Sequence, residues 1–180
     1  MGQRLRTARE QRGLSLREVA RRLGISASAL SQIETGKSRP SVKTLYAIVS
    51  ELGLSMDQLL AGPADKSGSL IVQRAESRPS LSLDSGVTWD RLTAAQDPNV
   101  DILYFTYEPG GSSSGSDELV RRNGREYGVV ISGELELSVG LEKIILGPGD
   151  SCSFDSDEPH RLANPGDEPT TAIWFVAGRR

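Results

Sequence analysis

The chain has 180 residues and a formal net charge of −3, but residues 1–62 carry a net charge of +5 and the rest a net charge of −8. A cationic segment favours nucleic-acid binding and an acidic one is repelled by a phosphate backbone, so the charge excludes the second part as a DNA-contacting surface. The single cysteine, Cys152, excludes an intrachain disulfide, and no apolar run is long enough to span a bilayer or to form a signal peptide, so we expect a cytoplasmic protein with no membrane partner.

The stretch 14–40 predicts two short helices joined by a tight turn. Ser15 and Glu18 have the spacing of a capping box at the start of the first helix. Gly24 stands where a left-handed residue would end that helix, and Ser26 is suited to begin the next one. With such a helix pair a protein lays a recognition helix in the DNA major groove; the alternative is an ordinary helical hairpin.

Helices are also predicted on both sides of this pair. Residues 2–12 have helical periodicity, and Ser41 can begin a fourth helix. Ser55 with Gln58 forms a second capping-box pattern, for a short fifth helix that ends at Leu60. The side chains expected to face the common core are Leu5, Ala8, Leu16, Val19, Ala20, Leu23, Ala29, Leu30, Ile33, Leu45, Ile48, Val49 and Leu52. The N-terminal part is therefore predicted to be a five-helix bundle.

Residues 4–61 resemble the XRE (phage-repressor-like) family of helix-turn-helix proteins. The matching features are Arg9–Glu10, Gly13–Leu14–Ser15, the Ala20–Gly24 spacing, Ser31–Gln32–Ile33–Glu34, Gly36–Lys37 and Pro40. The resemblance implies a lambda-repressor-like bundle whose partner is double-stranded operator DNA. It also implies that Glu34 pairs with Arg9 inside the bundle and does not face DNA.

The residues expected to contact DNA follow from their positions on and beside the second helix of the motif. Base edges are reached from the first turn and the exposed face of that helix, which carry Ser26, Ala27, Ser28, Ser31 and Gln32. The amide of Gln32 is suited to bidentate pairing with adenine. Phosphate contacts, which position the protein, are assigned to Arg17, Thr35, Lys37, Ser38 and Arg39. For each basic residue the alternative is a solvated surface charge.

Residues 62–68 are small, polar and rich in Gly and Pro, and are predicted to link two domains, residues 1–61 and 69–180. Beyond them, short apolar or alternating runs are separated by turn residues, a pattern typical of a β-sandwich or a small barrel. The predicted strands are 70–72, 81–83, 87–92, 102–107, 127–131, 135–139, 143–146, 151–154, 161–163 and 172–176.

Two turns carry a second resemblance. Residues 132–134 (Ser–Gly–Glu) are expected to form a tight hairpin, and residues 146–150 (Leu–Gly–Pro–Gly–Asp) a turn whose glycines supply positive φ angles. With their spacing they resemble the two motifs of the cupin family, over residues 111–133 and 147–164. The resemblance implies a double-stranded β-helix, a jelly-roll barrel, which in regulators of this layout senses a small molecule and helps to dimerise. The chain is thus expected to be multidomain, with an α domain followed by an all-β domain.

The sequence departs from the cupin pattern at the metal site. The family's metal centre takes two histidines and a glutamate from the first motif and a further histidine from the second. This chain has one histidine, His160, at the second-motif position, with Glu126 at the glutamate position and Arg122 where a ligand histidine is expected. A guanidinium cannot ligate a metal. We therefore predict no metal and no other cofactor.

The same residues could instead bind a small polar effector in the barrel. Strand alternation would turn Glu126, Gly128 and Val130 inward, and Arg122 is suited to pair an anionic group bidentately. The predicted ligand-binding residues are Arg122, Glu126 and His160 near the barrel mouth, with Tyr104, Tyr127, Phe154 and Trp174 as lining. The alternatives are a surface position for Arg122, a structural Glu126–His160 pair and core roles for the aromatic residues. The loop 110–116 is expected to be either a lid over the mouth or an ordinary surface loop.

Together these features predict a transcriptional regulator that is not an enzyme. The N-terminal helix-turn-helix domain, residues 1–61, is called the head below. Two heads in a homodimer would read half-sites one DNA turn apart, about 34–36 Å, and effector binding would change operator affinity. Two rivals stay open. One is a metal-dependent cupin enzyme of the epoxidase or dioxygenase kind with a DNA-binding-like head, and the other is a constitutive repressor whose barrel only dimerises.

Overall fold

A computed structural model describes residues 1–54, 56–60, 65–67, 69–93, 100–114 and 118–178 of the chain. The N-terminal helices are α1 (Gly2–Gln11), α2 (Leu16–Leu23), α3 (Ala27–Glu34), α4 (Val42–Glu51) and α5 (Met56–Leu59). The first four are eight to ten residues long, whereas α5 has four residues. The predicted five-helix bundle is thus four full helices and a single turn. Ser55, predicted to cap the fifth helix, lies outside the described residues.

The predicted capping residues set the boundaries of the central helices. The Ser15 hydroxyl accepts a hydrogen bond from the Glu18 N–H at 3.2 Å, and the Glu18 carboxylate accepts one from the Ser15 N–H at 2.7 Å. Gly24 ends α2 with a φ of +67°, and the Ser26 hydroxyl accepts from the Ala29 N–H at 3.0 Å. The capping box, the glycine end and the serine cap are all confirmed, so local hydrogen bonds fix the turn that orients α3 against α2.

The helices enclose the core that their spacing predicts. Leu5, Val19, Leu30, Leu45 and Ile48 are each 0% exposed. Leu5 and Ala8, Leu30 and Ile33, and Leu45 and Ile48 are buried pairs three residues apart, so these helices each turn one apolar stripe toward the core. None of the described helices has both the length and the apolar character needed to cross a membrane.

The described residues after α5 form eleven strands in three sheets. They are β1 (Asp65–Ser67), β2 (Leu70–Val72), β3 (Ser80–Ser82), β4 (Val87–Arg91), β5 (Val100–Tyr107), β6 (Arg125–Ser132), β7 (Leu135–Val139), β8 (Glu142–Leu146), β9 (Ser151–Asp155), β10 (His160–Ala163) and β11 (Thr170–Ala177). The larger sheets have the orders β3-β4-β5-β11-β6-β9 and β10-β7-β8, and β1 pairs with β2. Every predicted strand is confirmed to within two residues at each end.

The predicted linker is partly a strand. Residues 65–67 pair antiparallel with Leu70–Val72, so this part of the segment has regular structure that its Gly- and Pro-rich surroundings did not indicate. The other residues of the predicted linker lie outside the described residues. The division into domains at residues 61 and 69 stays a prediction.

The turn at residues 132–134 joins two different sheets, so the predicted hairpin is wrong. β6 ends at Ser132 in the six-stranded sheet, and β7 begins at Leu135 in the three-stranded sheet. Gly133 has a φ of +73°, and a Cβ atom there would lie 2.8 Å from a backbone atom of β11. The glycine is therefore needed for a close crossing beside β11, and its presence does not reveal whether the flanking strands pair. In the second predicted turn Gly149 has positive φ and the other glycine does not.

Candidate functional site

The predicted base-reading residues lie on and just before α3, on the side away from its core-facing residues. Leu30 and Ile33 are buried against the other helices. The opposite side presents exposed Ser26, Ser28 and Gln32 and half-buried Ala27 and Ser31. This small polar surface is what α3 could offer to a DNA groove.

Several hydroxyl groups near this surface already have partners. The Ser26 hydroxyl caps α3, the Thr35 hydroxyl donates to a carbonyl of the preceding turn at 2.8 Å, and the Ser38 hydroxyl lies 3.5 Å from a backbone carbonyl. The side chains of Ser28 and Gln32 make no hydrogen bond to another described residue. These two are therefore the groups best able to read a base edge without losing a bond first.

Free cations flank α3. Lys37 and Arg39 follow the helix, Arg17 begins α2, and all three are exposed. Within the described part of the chain none of the three forms an ion pair. Arg22, farther along α2, instead pairs with Glu51 at 2.7 Å. Arg17, Lys37 and Arg39 thus remain available for the phosphate contacts assigned to them.

A buried ion pair behind this surface joins α1 to α3. Arg9 Nε donates to Glu34 Oε1 at 2.7 Å, and Arg9 Nη2 donates to Glu34 Oε2 at 2.9 Å. Arg9 Nη1 donates to the Leu14 carbonyl at 2.9 Å. Both charged side chains are less than one tenth exposed. The predicted pairing of Glu34 with Arg9 is confirmed, and its two-point geometry holds the orientation of α3.

Glu126 is the centre of a buried polar cluster in the second part of the chain. Its side chain is 1% exposed. Glu126 Oε1 accepts from the Ser156 hydroxyl at 3.0 Å, and Oε2 accepts from the Trp174 indole N–H at 2.7 Å. Arg122 Nη1 lies 3.9 Å and His160 Nε2 lies 3.4 Å from Glu126 Oε1. The three predicted polar ligand residues are therefore neighbours around one carboxylate oxygen.

This carboxylate is ionised at physiological pH. Burial raises the pKa of Glu126, but His160, Arg122 and the Trp174 indole together lower it by more, to about 2. Hydrogen bonds and nearby donors to the charged form outweigh desolvation here. One negative charge is thus fixed in the interior of the strand part of the chain, with both carboxylate oxygens already accepting hydrogen bonds.

His160 presents one free ring nitrogen to the cluster. The side chain is 0% exposed, and Nδ1 donates to the Glu158 carbonyl at 2.9 Å. Since a carbonyl can only accept, Nδ1 carries a ring proton. The other ring nitrogen, Nε2, lies 3.4 Å from Glu126 Oε1 but has no hydrogen-bond partner among the described residues. A buried polar atom in this state is commonly explained by a ligand or a water.

Arg122 connects the polar cluster to the helical part of the chain. Its guanidinium carbon lies 4.2 Å from the centroid of the Tyr46 ring on α4. The side chain is 13% exposed, so a free surface position is excluded. Among the described residues Arg122 Nη2 has no hydrogen-bond partner. The guanidinium is therefore buried between an aromatic ring and a carboxylate, with one donor nitrogen unused.

α4 is a wall shared by the two parts of the chain. Leu45 and Ile48 face the helical core. On another side of the helix, Tyr46 meets Arg122, and Lys43 Nζ pairs with Glu118 at 2.6 Å. The backbone just before α4 also accepts a hydrogen bond from the strand part, at 3.2 Å. Sequence reasoning missed Tyr46 because nothing local to α4 indicates which partner covers its half-buried ring.

Aromatic rings form a second route between α4 and Glu126. Tyr46 meets Trp89 edge-on at 5.9 Å, Trp89 stacks on Phe105 at 5.6 Å, and Phe105 stacks on Trp174 at 5.7 Å between centroids. Trp174 then donates to Glu126. Together with the contacts of Arg122, these aromatic residues form a closed loop of contacts that begins and ends at Tyr46 and passes through Glu126.

Only two of the four predicted lining residues face the interior. Phe154 and Trp174 are buried, whereas Tyr127 is 43% exposed and Tyr104 is half-buried on an outward position of β5. The lining role of Tyr104 and Tyr127 is wrong for a simple reason. Phe105 and Glu126 are buried, so Tyr104 and Tyr127, their neighbours on the same strands, point outward.

Gly128 shows how tightly the interior is filled. Glu126, Gly128 and Val130 face inward, as predicted from alternation. A Cβ atom on Gly128 would lie 1.9 Å from Trp174 Cζ3. The glycine therefore leaves the space that the indole occupies beside Glu126.

The donor set does not fit a metal centre. Among the described residues no group of three His, Cys, Asp or Glu side chains is placed to hold a metal ion. Glu126 and His160 supply two donors, and the guanidinium of Arg122 stands beside them. A cation at this place would meet a positive charge where the family pattern has a ligand.

A cleft of about 470 Å³ lies beside the cluster. Its walls are Leu137, Val139, Glu142, Lys143, Ile144, Ser153 and Phe154. The ring of Phe154 is 5.0 Å from that of His160. The cleft is mainly apolar, and Phe154 is the wall residue that it shares with the surroundings of His160.

The described part of the predicted lid is fastened down. Ser112, Ser113 and Ser114 are buried, and the Ser113 hydroxyl accepts from the Leu162 N–H at 2.9 Å. Residues 111–114 are therefore packed against β10 and its end, whereas Gly110 is exposed, so this part of the segment is not a free lid. Residues 115–117 lie outside the described residues.

Two protein families match the chain, one in each part. The helix-turn-helix family matches residues 5–59, and the cupin domain family matches residues 103–176. The HTH-type transcriptional regulator PuuR of Escherichia coli (strain K12) is 29% identical over 165 residues, which are 91% of this chain and 86% of PuuR.

Two solved structures share the arrangement of nearly the whole chain. An HTH_3 family transcriptional regulator from Vibrio cholerae has a TM-score of 0.66 and 25% identity, covering 99% of this chain and 95% of that one. The hydroxypropylphosphonic acid epoxidase from S. wedmorenis has a TM-score of 0.52 and 21% identity, covering 97% and 95%. At that identity the likeness to the epoxidase extends to the fold alone.

Proposed function

The chain belongs to the XRE-type helix-turn-helix transcriptional regulators that carry a C-terminal cupin domain, and from that premise we propose that it binds operator DNA as a homodimer whose barrel binds a small polar effector. The observation that carries the DNA-binding proposal is the outer face of α3. Ser28 and Gln32 are exposed there and have no side-chain hydrogen bond to any described residue, and Arg17, Lys37 and Arg39, without ion pairs in the same part of the chain, flank them.

Each predicted DNA contact has a role in this proposal. Gln32 and Ser28 read base edges, with the Ala27 methyl group placed to meet a thymine methyl. Arg17, Lys37 and Arg39 neutralise phosphates, and the hydroxyl and backbone groups around them complete the set, which comprises Ser26, Ser31, Thr35 and Ser38. The Arg9–Glu34 pair supports this surface from behind and does not contact DNA.

The effector proposal is supported by two unused nitrogens in the barrel. Arg122 Nη2 and His160 Nε2 are buried and lack hydrogen-bond partners among the described residues. A structural pair alone would not leave both unsatisfied. Phe154 and Trp174 supply the apolar walls beside them.

The homodimer is supported by the outer face of the six-stranded sheet, in a domain that we take to be a double-stranded β-helix. Tyr127, Ile131 and Phe175 are each more than one third exposed on neighbouring strands of that face. A contiguous apolar patch of this kind marks an association surface. A dimer built through it would hold two heads at a fixed separation, as half-sites about 34–36 Å apart require.

Selection from a library of duplex DNA, followed by footprinting, tests the DNA-binding proposal. We expect a palindromic site, and Gln32→Ala should relax specificity at one base pair per half-site, a loss of about 1–3 kcal/mol. Gln11→Ala is the same change at an exposed position of α1 and serves as the matched control. This variant should bind DNA as the wild type does. Absence of any sequence preference would contradict the proposal.

Native mass spectrometry of the freshly purified protein tests the other two parts. A mass of two chains with an added small organic molecule supports the dimer and the effector. A monomer would argue against the dimer, and an empty dimer would favour the constitutive repressor. Stoichiometric iron would favour the enzyme rival, although the donor set described above does not.

A further inference from the structure

We propose that the effector carries a carboxylate that binds Arg122, and that this binding weakens the contact of Arg122 with Tyr46 and so loosens the helical head from the barrel. The inference rests on the proposed function, because it assigns the ligand chemistry and the output of the same site. It connects the two ends of the molecule through a single guanidinium.

The ligand class follows from which groups are free. Both oxygens of Glu126 already accept hydrogen bonds, from Ser156 and Trp174, so the cluster has little left to offer a cationic ligand. The free donor is Arg122 Nη2, whereas His160 Nδ1 already donates to Glu158, so Nε2 of a neutral His160 ring can only accept. An anionic group can therefore bind at Arg122 Nη2, while Nη1 of the same guanidinium lies 3.9 Å from Glu126 Oε1. A carboxylate matches the guanidinium fork best.

The coupling follows from what holds Arg122 in place without ligand. Its guanidinium rests on the Tyr46 ring at 4.2 Å, an attraction that depends on the net positive charge of the group. A bound carboxylate offsets that charge and so weakens the attraction between the guanidinium and the ring. Ligand and Tyr46 therefore compete for Arg122, and each must weaken the other's binding by the same factor.

The remaining contacts of α4 explain why this one matters. The Lys43–Glu118 pair joins α4 to the strand part, but both side chains are more than half exposed, and such a pair contributes little. The edge contact of Tyr46 with Trp89 is the other aromatic link. Since Tyr46 shares α4 with residues of the helical core, releasing its ring changes how the head is held over the barrel.

Three small probes of nearly equal shape test the ligand class. Propionate, propionamide and propylamine are titrated into the full-length protein at constant ionic strength, and the fluorescence of Trp89 and Trp174, the chain's two tryptophans, is recorded. Propionate should give a saturable change, and the amide and the amine should not. Equal responses to propionate and propionamide, or no response to propionate, would overturn the proposed class.

Variants of the full-length protein test the coupling. Tyr46→Leu should bind propionate about two- to fivefold more tightly, because the competing ring contact is gone. Arg122→Gln should lose propionate binding at least tenfold. The matched control is Arg125→Gln, because the exposed Arg125 side chain lies over Tyr127 at 5.9 Å and pairs with Asp155 at 3.2 Å on the outer face. It should behave as the wild type does.

The outcomes separate this inference from the proposed function. Equal propionate affinity in the wild type and in Tyr46→Leu overturns the coupling, even if Arg122→Gln does not fold. Operator binding measured without any probe tests the proposed function alone. Operator binding that both variants retain, and that propionate alters only when Arg122 is present, supports both.

Discussion

Two buried arginine–glutamate pairs, one in each part of the chain, are built in opposite ways. Arg9 and Glu34 share two hydrogen bonds, and a third nitrogen of Arg9 is bonded to a carbonyl. Arg122 approaches Glu126 only to 3.9 Å and keeps one nitrogen without a partner among the described residues. A fully bonded pair fixes a geometry and has nothing left to bind, whereas an incompletely bonded pair can take a ligand. Burial of the two charges alone does not distinguish these roles.

The largest effect is expected where the pair is complete. Glu34→Gln leaves the buried Arg9 guanidinium with only the half-exposed Glu10, 3.7 Å away, as a counter-charge and should lower the free energy of unfolding of the head by about 3–5 kcal/mol. Urea unfolding followed by far-UV circular dichroism measures it. Glu10→Gln breaks the exposed Arg6–Glu10 pair together with that longer contact to Arg9 and should change the midpoint little. If both variants lose equally little, the fork does not hold α3.

Acidification should lower the free energy of unfolding of the strand part of the chain, because Glu126 loses its charge. The folded pKa of about 2 lies below the ordinary value of 4.5, so the charged form stabilises the fold above pH 4.5. This contribution, about 3 kcal/mol, is lost as pH falls from 4.5 toward 2. Unfolding is followed by tryptophan fluorescence across that range. Glu126→Gln should flatten the pH dependence, and an unchanged slope in the variant would show that Glu126 is not its source.

A methyl group beside Glu126 should test how tightly the side chains around Glu126 and Trp174 are packed. Gly128→Ala places a Cβ 1.9 Å from the Trp174 ring, so the indole or the strand must move, at a cost of about 1–3 kcal/mol. Tryptophan fluorescence and thermal unfolding report both consequences. Gly147→Ala, whose nearest neighbour would be 3.8 Å away, is the matched control. Equal stability of the two variants would mean that Trp174 is loosely held.

The smallest effect is expected where the pair is incomplete. Arg122→Gln should cost about 1 kcal/mol of stability, because it removes one ring contact and one long ion pair while Glu126 keeps its two hydrogen bonds. Chemical unfolding of the variant beside Arg9→Gln measures the difference directly. A loss as large as that of Arg9→Gln would make both pairs structural and remove the contrast between them.

Features encoded by local chemistry could be predicted from the sequence. The helix caps at Ser15 and Ser26 and the strand positions follow from hydrogen-bonding groups and alternation within a few residues. The Arg9–Glu34 pair was predicted from the family resemblance and not from local spacing. The orientation of Tyr127 was also available, since placing Glu126 inward already turns its neighbour outward.

Features that depend on how distant segments meet could not be predicted in the same way. The glycine turn at Gly133 is compatible with paired strands and with strands in different sheets, and only the packing against β11 decides between them. The contact of Arg122 with Tyr46 depends on how the helical part docks on the barrel. No spacing within either segment encodes that docking.

α4 limits how freely such proteins can exchange parts. The same ten residues supply the inner wall of the head and the ring that covers Arg122. In a chimera that joins the strand part of this chain to the helical part of a relative, the relative's helices would keep their own DNA-contacting surface. Arg122 would lose its ring partner unless an aromatic residue stood at the place of Tyr46. Recombination between relatives is therefore expected to preserve DNA binding more readily than the coupling between Arg122 and the helices.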